Sequence, residues 1–587
     1  MASAPVATQR GVSTRTAPRL LGRVSGWLTT PRGVAWLLFG GAAAVRGALA
    51  TQMVFPPLGD AAYYIAVARS LYAGRGFTIG NIWNYQPPPA TVVGPSNNYW
   101  GPLPSIVEWL SLLVFGDSLY AALIPGILAG AALVALTYWW GRDVFARWLA
   151  ARDAEGDAEG HPAERARAAH WLALGAAHWL ALGAALLLAI SSALTYQSVM
   201  GDSSMPYGLL GFAAIVAWDQ ALRPAATAPS FWGRAWGWQG ATPRAALAGA
   251  LFGLTYLTRG SAIFLAPVLV GWWLWRCWRI RAPDGAARRA LAGAGLAFAV
   301  GAMVVTAPWL VRQQMVFGHL FSAEATHNAL AFSLADFFDY GTGPTLASLL
   351  RHGWGALLAL RAQAFWDAWH RTTDYLFYPT ALPALIGLWL LARRVRLAAL
   401  GLASFLALLV GFAALFPAVS LFGGYYHSVA SVAPFLAWGY LALIYLAGGW
   451  ARRHLPLRLS LAPALFAMVA LLQLALLLFA FPAIGAGARN ERRIFGDITR
   501  WLRARDAGVV MATESTSLYY ASGIPTIELP AAQTPDVAYA CARRYGAEYL
   551  VIAEQDGLYP QALRDHPNPH FVLVAHQPAF EVYQIVP

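Results

Sequence analysis

The chain has 587 residues, of which 58% are hydrophobic and only 12% charged, with 41 basic against 28 acidic side chains and a formal net charge of +13. Soluble domains carry roughly a quarter charged residues, so half that fraction, with repeated apolar runs of roughly 20 residues, excludes an ordinary soluble protein and indicates a polytopic α-helical membrane protein. The positive charge is not a nucleic-acid signature: lysine is absent, and the arginines cluster between apolar runs, as the positive-inside rule requires.

Residues 1–32 are polar, rich in Ser and Thr, and hold five arginines and no acid. They read as a disordered cytoplasmic arm, not a cleaved signal peptide, because the apolar run behind them is long. Transmembrane candidates follow at 33–54, 118–140, 168–190, 205–222, 244–257, 261–277, 288–310, 375–392, 396–416, 429–449 and 460–482. A further run, 103–116, is too short to span and is expected to pack at the surface.

Arginines concentrate at 141–167 (Arg142, Arg147, Arg152), 223–244 (Arg223, Arg234, Arg244), 278–289 (Arg279, Arg281, Arg288, Arg289), 393–396 and 451–458. The short loops 191–204 and 417–428 have none. This alternation places the amino terminus inside, and 55–104, 191–204, 257–261, 311–374, 417–428 and everything after 482 outside. The arginines of the long loop 311–374 do not count against this, since long loops translocate regardless of charge.

His170–Ala177 is repeated without change as His178–Ala185. Eight residues overshoot two helical turns by roughly 80°, so the copies face different ways and cannot pair at a metal. The two cysteines, Cys277 and Cys541, give neither a disulfide framework nor metal spacing.

After 482 the character changes. Glu491–Arg505 reads as an amphipathic helix and Val509–Thr513 as a strand. Leu518–Ser522, Ile524–Leu529, a helix over Asp536–Tyr545 and Glu548–Ala553 continue an alternating pattern, which Phe571–Val574 and Phe580–Val586 close. Together they predict a small α/β domain of about 95 residues, with no glycine-rich phosphate loop. The expected organisation is an arm (1–32), a transmembrane domain (33–482) with outer loops 55–104 and 311–374, and an extracytoplasmic α/β domain (483–587).

Asp60 is the first acid in the chain and stands where the first apolar run leaves the bilayer. The next residues, Ala61 to Ala73, lack Pro and Gly and place Tyr64, Val67, Ala68 and Leu71 on one face of a short interfacial helix, which Gly74 and Gly76 end. An N-cap is the bland role for Asp60; a carboxylate beside lipid is costly without a task or partner, which favours function. Asp202, in Met200-Gly-Asp-Ser-Ser-Met-Pro206, is a second outer acid at a helix start. Paired carboxylates can divide labour, one as base and the other binding a cation or orienting a hydroxyl.

Arg259 interrupts two apolar segments on the outer face, where the positive-inside rule disfavours it. A guanidinium there either snorkels or holds a phosphate. Arg312, at another outer helix end, is a weaker case. His427, in Gly423-Gly-Tyr-Tyr-His427, has the chemistry for proton transfer, a metal or a headgroup, against the commoner structural role. Trp83, Tyr85, Tyr99 and Trp100 read mainly as interface anchors, with sugar stacking as the second role.

In this order and on one membrane face, these segments resemble the GT-C class of membrane glycosyltransferases, nearest the bacterial family 39 and 83-like enzymes, relatives of protein O-mannosyltransferases and of the aminoarabinose transferase that modifies lipid A. The resemblance rests on Asp60, Tyr63, Tyr64, Gly74, Gly76 and Phe77; on Tyr99-Trp-Gly-Pro-Leu103; on Gly201–Pro206, Tyr256–Arg259 and Ala307–Arg312; and on Gly424-Tyr-Tyr-His427 up to Pro434. It implies a GT-C fold of about eleven transmembrane helices with the small C-terminal domain outside. It implies a polyprenyl-phosphate-linked sugar as donor and a glycan, lipid or protein hydroxyl as acceptor, in a bacterial inner membrane. It implies Asp60, with Asp202, as the catalytic carboxylates and Asp60 as general base. Arg259 and Arg312 are expected at the donor phosphate, and Tyr63, Tyr64, Tyr99, Trp100, Tyr426 and His427 at the substrate. The chain departs from the pattern in two places: Ala61 stands where an acid is usual, and Trp100-Gly101 replaces the basic residue before Pro102. No ligand cluster calls for a metal, although a divalent cation is compatible with the two acids. A lipid-linked-sugar transporter or flippase, or a non-catalytic envelope assembly protein, are the rival readings; a transporter would want inverted repeats and polar residues at mid-membrane.

Overall fold

The computed structural model describes residues 30–57, 59–156, 163–223, 241–279, 285–321, 323–341, 343–376, 380–455, 461–530, 534–553 and 568–587. All but the last three residues of the predicted arm lie outside the described residues, as do Arg234, Arg281 and Arg458. The chain is mainly helical. The helix Pro31–Ala50 opens on Thr30, whose hydroxyl accepts the Gly33 N–H, with proline at its first position. Helices at Leu119–Gly156, Ala163–Ile190, Ser204–Ala221, Ala241–Thr258, Ala266–Arg279, Gly285–Phe317, Arg396–Val410, Ala433–His454 and Leu461–Arg503 each fall on a predicted apolar run. The 375–392 run is divided between the end of Gly353–Leu376 and the helix Ala381–Ala392, with 377–379 outside the described residues. Among the described residues, seven helices are long and apolar enough to cross a membrane; Leu174–Ile190 and Ala381–Ala392 are shorter apolar helices. The eleven crossings expected from the sequence go beyond that criterion. Leu103–Phe115, the run too short to span, is a helix with Leu110, Leu113, Val114 and Phe115 exposed.

Several large polar groups in the helical core are satisfied locally, as an apolar surround demands. The indole N–H groups of Trp218 and Trp438 donate to the Leu269 and Thr137 carbonyls at 2.9 and 3.0 Å. Arg46, 0% exposed, donates to the carbonyls of Leu188 and Ala189 and to Ser198 Oγ. It thereby caps carbonyls that the end of Ala163–Ile190 leaves unpaired. In the tandem repeat, His178 Nδ1 meets the Tyr138 hydroxyl at 2.9 Å; the side chain of His170 lies outside the described residues.

The helix Ser204–Ala221 sets the scale of the molecule: 18 residues span roughly 27 Å, close to a hydrocarbon core. At its far end Arg223 pairs with Asp219 at 2.6 Å and Asp143 at 3.3 Å, and Arg147 with Asp143 at 2.9 Å. At its near end stands Asp202.

The C-terminal region forms a mixed sheet in the order β2-β5-β4-β6-β8-β7, from β4 (Val509–Ala512), β5 (Thr526–Glu528), β6 (Ala547–Ala553), β7 (Phe571–Gln577) and β8 (Phe580–Ile585). Its first edge, β2 (Asn81–Ile82), comes from the first outer loop and pairs parallel to β5. A second small sheet pairs β1 (Thr78–Ile79) with β3 (Gly94–Pro95) in that same loop. Leu518–Ser522 belongs to a helix, Ser515–Ser522, ended by Gly523 at φ +69°. The boundary expected at 482/483 falls at Pro482, inside the continuous helix Leu461–Arg503.

The first loop and the tail are therefore built together. Asn81 Nδ2 donates to Ser515 Oγ (2.8 Å) and Thr526 Oγ1 (3.0 Å), and Thr516 Oγ1 donates to Asn81 Oδ1 (3.1 Å). Ser515 Oγ in turn donates to Glu528 Oε2, and the Tyr85 hydroxyl to the Glu528 carbonyl. The helix Ser515–Ser522 packs on Gly59–Tyr72, with the Tyr520 ring 5.4 Å from that of Phe55. Asn81→Leu removes three buried hydrogen bonds and is expected to destabilise the tail by about 1–3 kcal/mol. A lowered melting temperature of the purified protein checks this, and an unchanged one contradicts it.

Of Trp83, Tyr85, Tyr99 and Trp100, expected mainly as interface anchors, Tyr85 and Trp100 are buried in protein instead. Tyr85 is fully buried in the sheet core, and Trp100 stacks between Tyr63 and Trp83, with ring centroids 4.2 Å from each. The loop that carries them packs against the tail, which leaves Trp83 and Tyr99 half-buried beside the buried Trp100.

Candidate active site

Asp60 is the second residue of the helix Gly59–Tyr72, within its first turn, where the helix dipole favours a carboxylate. It faces Arg259, the residue between the helix Ala241–Thr258 and the short 3-10 turn Gly260–Phe264. Arg259 has an extended backbone there (φ −157°, ψ 130°), which breaks the helical path and turns the guanidinium towards the loop. Its Nη1 lies 3.9 Å from Asp60 Oδ2 and donates to Ser203 Oγ at 3.0 Å. Asp60 keeps 29% of its side-chain surface accessible and Arg259 17%, so both remain reachable.

Asp202 precedes the helix Ser204–Ala221 and accepts the Ser204 N–H at 2.9 Å, an Asx-type turn that starts the helix. Its other oxygen accepts from Ser204 Oγ (2.8 Å) and lies 2.9 Å from His427 Nδ1. The cap expected at this position is thus realised one residue outside the helix end, and His427 is tied to the same carboxylate.

The two acids differ electrostatically. Partial burial raises the Asp60 pKa above the ordinary carboxylate value, and the nearby Asp202 adds to this; His427 and Arg259 oppose it without cancelling it. For Asp202, burial alone would also raise the pKa, but the His427 hydrogen bond and charge and the two Ser204 bonds outweigh it and hold the group below its ordinary value. Asp60 is therefore the better proton acceptor of the pair, and Asp202 the committed one.

Beside Arg259 opens a cavity of about 450 Å³. Its lining combines the apolar Ile263, Phe264, Phe412, Phe416, Leu320 and Phe321 with Trp100 and the polar Tyr64, Tyr99, Asn98, Gln313 and Asn328. Gly101 also lines it: a Cβ there would lie 2.2 Å from the Leu257 carbonyl oxygen, so only glycine lets the first loop meet the end of Ala241–Thr258 this closely. That contact sits where the resembled pattern has its basic residue, and it closes the loop against the turn that bears Arg259.

The expected site residues separate into two groups. Asp60, Asp202, Arg259 and His427 are gathered on one face, and Tyr64, Tyr99 and Trp100 line the adjoining cavity. Arg312, Tyr63 and Tyr426 do not line it. Arg312 donates to the Phe77 and Ser96 carbonyls and lies over the Trp309 ring at 4.5 Å, so it clamps the first loop. The Tyr63 hydroxyl accepts the Asn97 N–H at 2.6 Å. The Tyr426 carbonyl accepts from Gln197, and its ring faces Arg371. Sequence reasoning missed Ser203, Ser204 and Gln313. The signal was present in Gly-Asp-Ser-Ser, where hydroxyls follow an acid, and in Arg312-Gln313, where one residue further along a helix points roughly 100° away.

No family model matches the chain, and no curated relative is detectable from its sequence. Solved structures do resemble it. ArnT from Cupriavidus metallidurans, bound to undecaprenyl phosphate, superposes with a TM-score of 0.50 at 14% identity, over 94% of this chain and 98% of that one. The fold is GT-C-like, that of membrane glycosyltransferases. The oligosaccharyltransferase of Archaeoglobus fulgidus, in complex with Zn and sulfate, gives a TM-score of 0.51 at 12% identity, over 89% of this chain and 69% of that one.

Proposed function

We propose that this chain is a glycosyltransferase that moves a sugar from a polyprenyl phosphate to an acceptor hydroxyl at the outer face of a bacterial inner membrane, with the amino terminus cytoplasmic and the C-terminal sheet extracytoplasmic. The observation that carries the reading is the meeting of Asp60 with Arg259 at 3.9 Å, where Arg259 lines a cavity rich in apolar side chains. An isoprenoid needs the apolar side chains, a phosphate needs the guanidinium, and an attacking hydroxyl needs a base within reach.

In the proposed reaction the acceptor oxygen attacks the anomeric carbon while its proton passes to the Asp60 carboxylate. The bond from that carbon to the phosphate oxygen breaks, its electron pair stays on the phosphate, and Arg259 stabilises the charge that develops there. Asp202 is a positioning residue: it holds His427 and Ser204 beside Ser203, the hydroxyl that Arg259 contacts. We route no step through a divalent cation, because both Asp202 oxygens are engaged and Arg259 already stands against Asp60.

Because Asp60 must be ionised to act and burial raises its pKa, the acid limb of transfer is expected above the ordinary carboxylate value of about 4. Transfer should rise with pH through that limb. A kcat/KM profile from acid to neutral pH checks this; a limb at or below the ordinary value contradicts it. The function itself is tested with the purified full-length chain in vesicles and radiolabelled polyprenyl-phosphate sugars. Label appearing in a new glycoside supports transfer; label crossing the bilayer on an unchanged lipid supports a flippase instead.

A further inference from the structure

The cavity beside Arg259 has an unusual charge inventory. Among the described residues that line it, Arg259 is the only charged side chain; the rest of its polar lining consists of amides and hydroxyls. Two of those are buried with hydrogen-bonding capacity left over. Gln313 is 5% exposed and its Nε2 donates to the Asn97 carbonyl at 2.7 Å, but its Oε1 accepts nothing. The Tyr64 hydroxyl, on a side chain with no exposed surface, makes no well-formed hydrogen bond, with the Ser203 side chain as its neighbouring partner. Unpaired buried polar atoms are costly and rare, so groups of this kind beside a cavity mark where a ligand supplies the missing partner.

We propose that this lining is the sugar subsite of the transferase and that it selects an uncharged sugar, with Gln313 Oε1 accepting a hydrogen bond from one sugar hydroxyl and the Tyr64 hydroxyl bonding another. The inference rests on the transferase reading above and specifies its substrate. An amino sugar would bring an ammonium to a lining without a carboxylate. A uronic acid would bring a carboxylate that competes with the donor phosphate for Arg259. A neutral sugar has hydroxyls that both donate and accept, which is what an amide and phenol lining satisfies.

Binding to the full-length chain in nanodiscs tests this, read by displacement of radiolabelled undecaprenyl phosphate. The competitors are undecaprenyl-phosphate-linked glucose, mannose, galactose and arabinose, one amino-deoxy pentose and one uronic acid. The best neutral donor is expected to bind at least about tenfold more tightly than either charged donor, the discrimination a hydrogen-bonding site gives. Gln313→Leu should erase the advantage of that donor over bare undecaprenyl phosphate, and Gln313→Glu should move the preference towards the amino sugar. A charged donor that binds as well as the best neutral one, or a neutral preference that survives both variants, overturns the subsite. Failure of bare undecaprenyl phosphate to bind the native chain would instead contradict the transferase reading itself.

Discussion

Asp60→Asn is expected to lower sugar transfer by about 10²- to 10⁴-fold, the span that general-base catalysis supplies. Asparagine preserves the size of the side chain and its place in the first turn of Gly59–Tyr72 but cannot accept the acceptor's proton. The loss should fall on kcat, because a base acts in the transition state and not in holding the donor. The variant should still insert and melt near the native temperature, since the helix is held by Tyr64, Ile65, Val67 and Ala68, all fully buried, and by the helix Ser515–Ser522. Its residual transfer should also lose the acid limb that Asp60 imposes. Turnover within tenfold of native in Asp60→Asn would remove this residue from the mechanism.

Arg259→Gln is expected to lower kcat by about 10²- to 10³-fold, the cost of deleting one preorganised donor at a developing charge. Here KM should rise as well, because the guanidinium contacts the phosphate before and during bond breaking. Arg259→Lys should recover part of the loss: lysine keeps the charge but not the planar fork. Since Asp60 and Arg259 lie 3.9 Å apart, the double variant should cost less than the product of the single effects. Steady-state transfer kinetics on the four proteins checks all three statements. Rates within threefold of native for Arg259→Gln would mean that another group holds the phosphate.

The helices were legible in the sequence because apolar length is a strong signal in a membrane protein. The arginines between helices set the expected orientation, and Arg259 stood out by breaking their alternation. Asp60 and Asp202 were found because acids are scarce and both stand at helix starts. What could not be read was how the first loop pairs with the tail. β2 is two residues long, and its partner β5 lies far along the chain, at Thr526–Glu528; no local pattern predicts a pairing of that separation. The same folding back buries Tyr85 and Trp100, which by composition alone resemble interface anchors. Arg312 illustrates a related blind spot. Its position at an outer helix end matched Arg259, but its Nη2 donates to the carbonyls of Phe77 and Ser96, and its buried Nη1 is left without a partner. Gln313, beside it, faces the cavity because of helical phase. Side-chain direction, not residue type, separated the two.

The most direct measurement is a density map of the full-length chain in a lipid nanodisc with a polyprenyl-phosphate sugar bound. The account predicts the phosphate within hydrogen-bond reach of Arg259, the isoprenoid along Phe264, Phe412 and Phe416, and the anomeric carbon open to attack from the side of Asp60. A phosphate held at the opposite end of Ser204–Ala221, near Arg223, or a sugar with no path to Asp60, would contradict it.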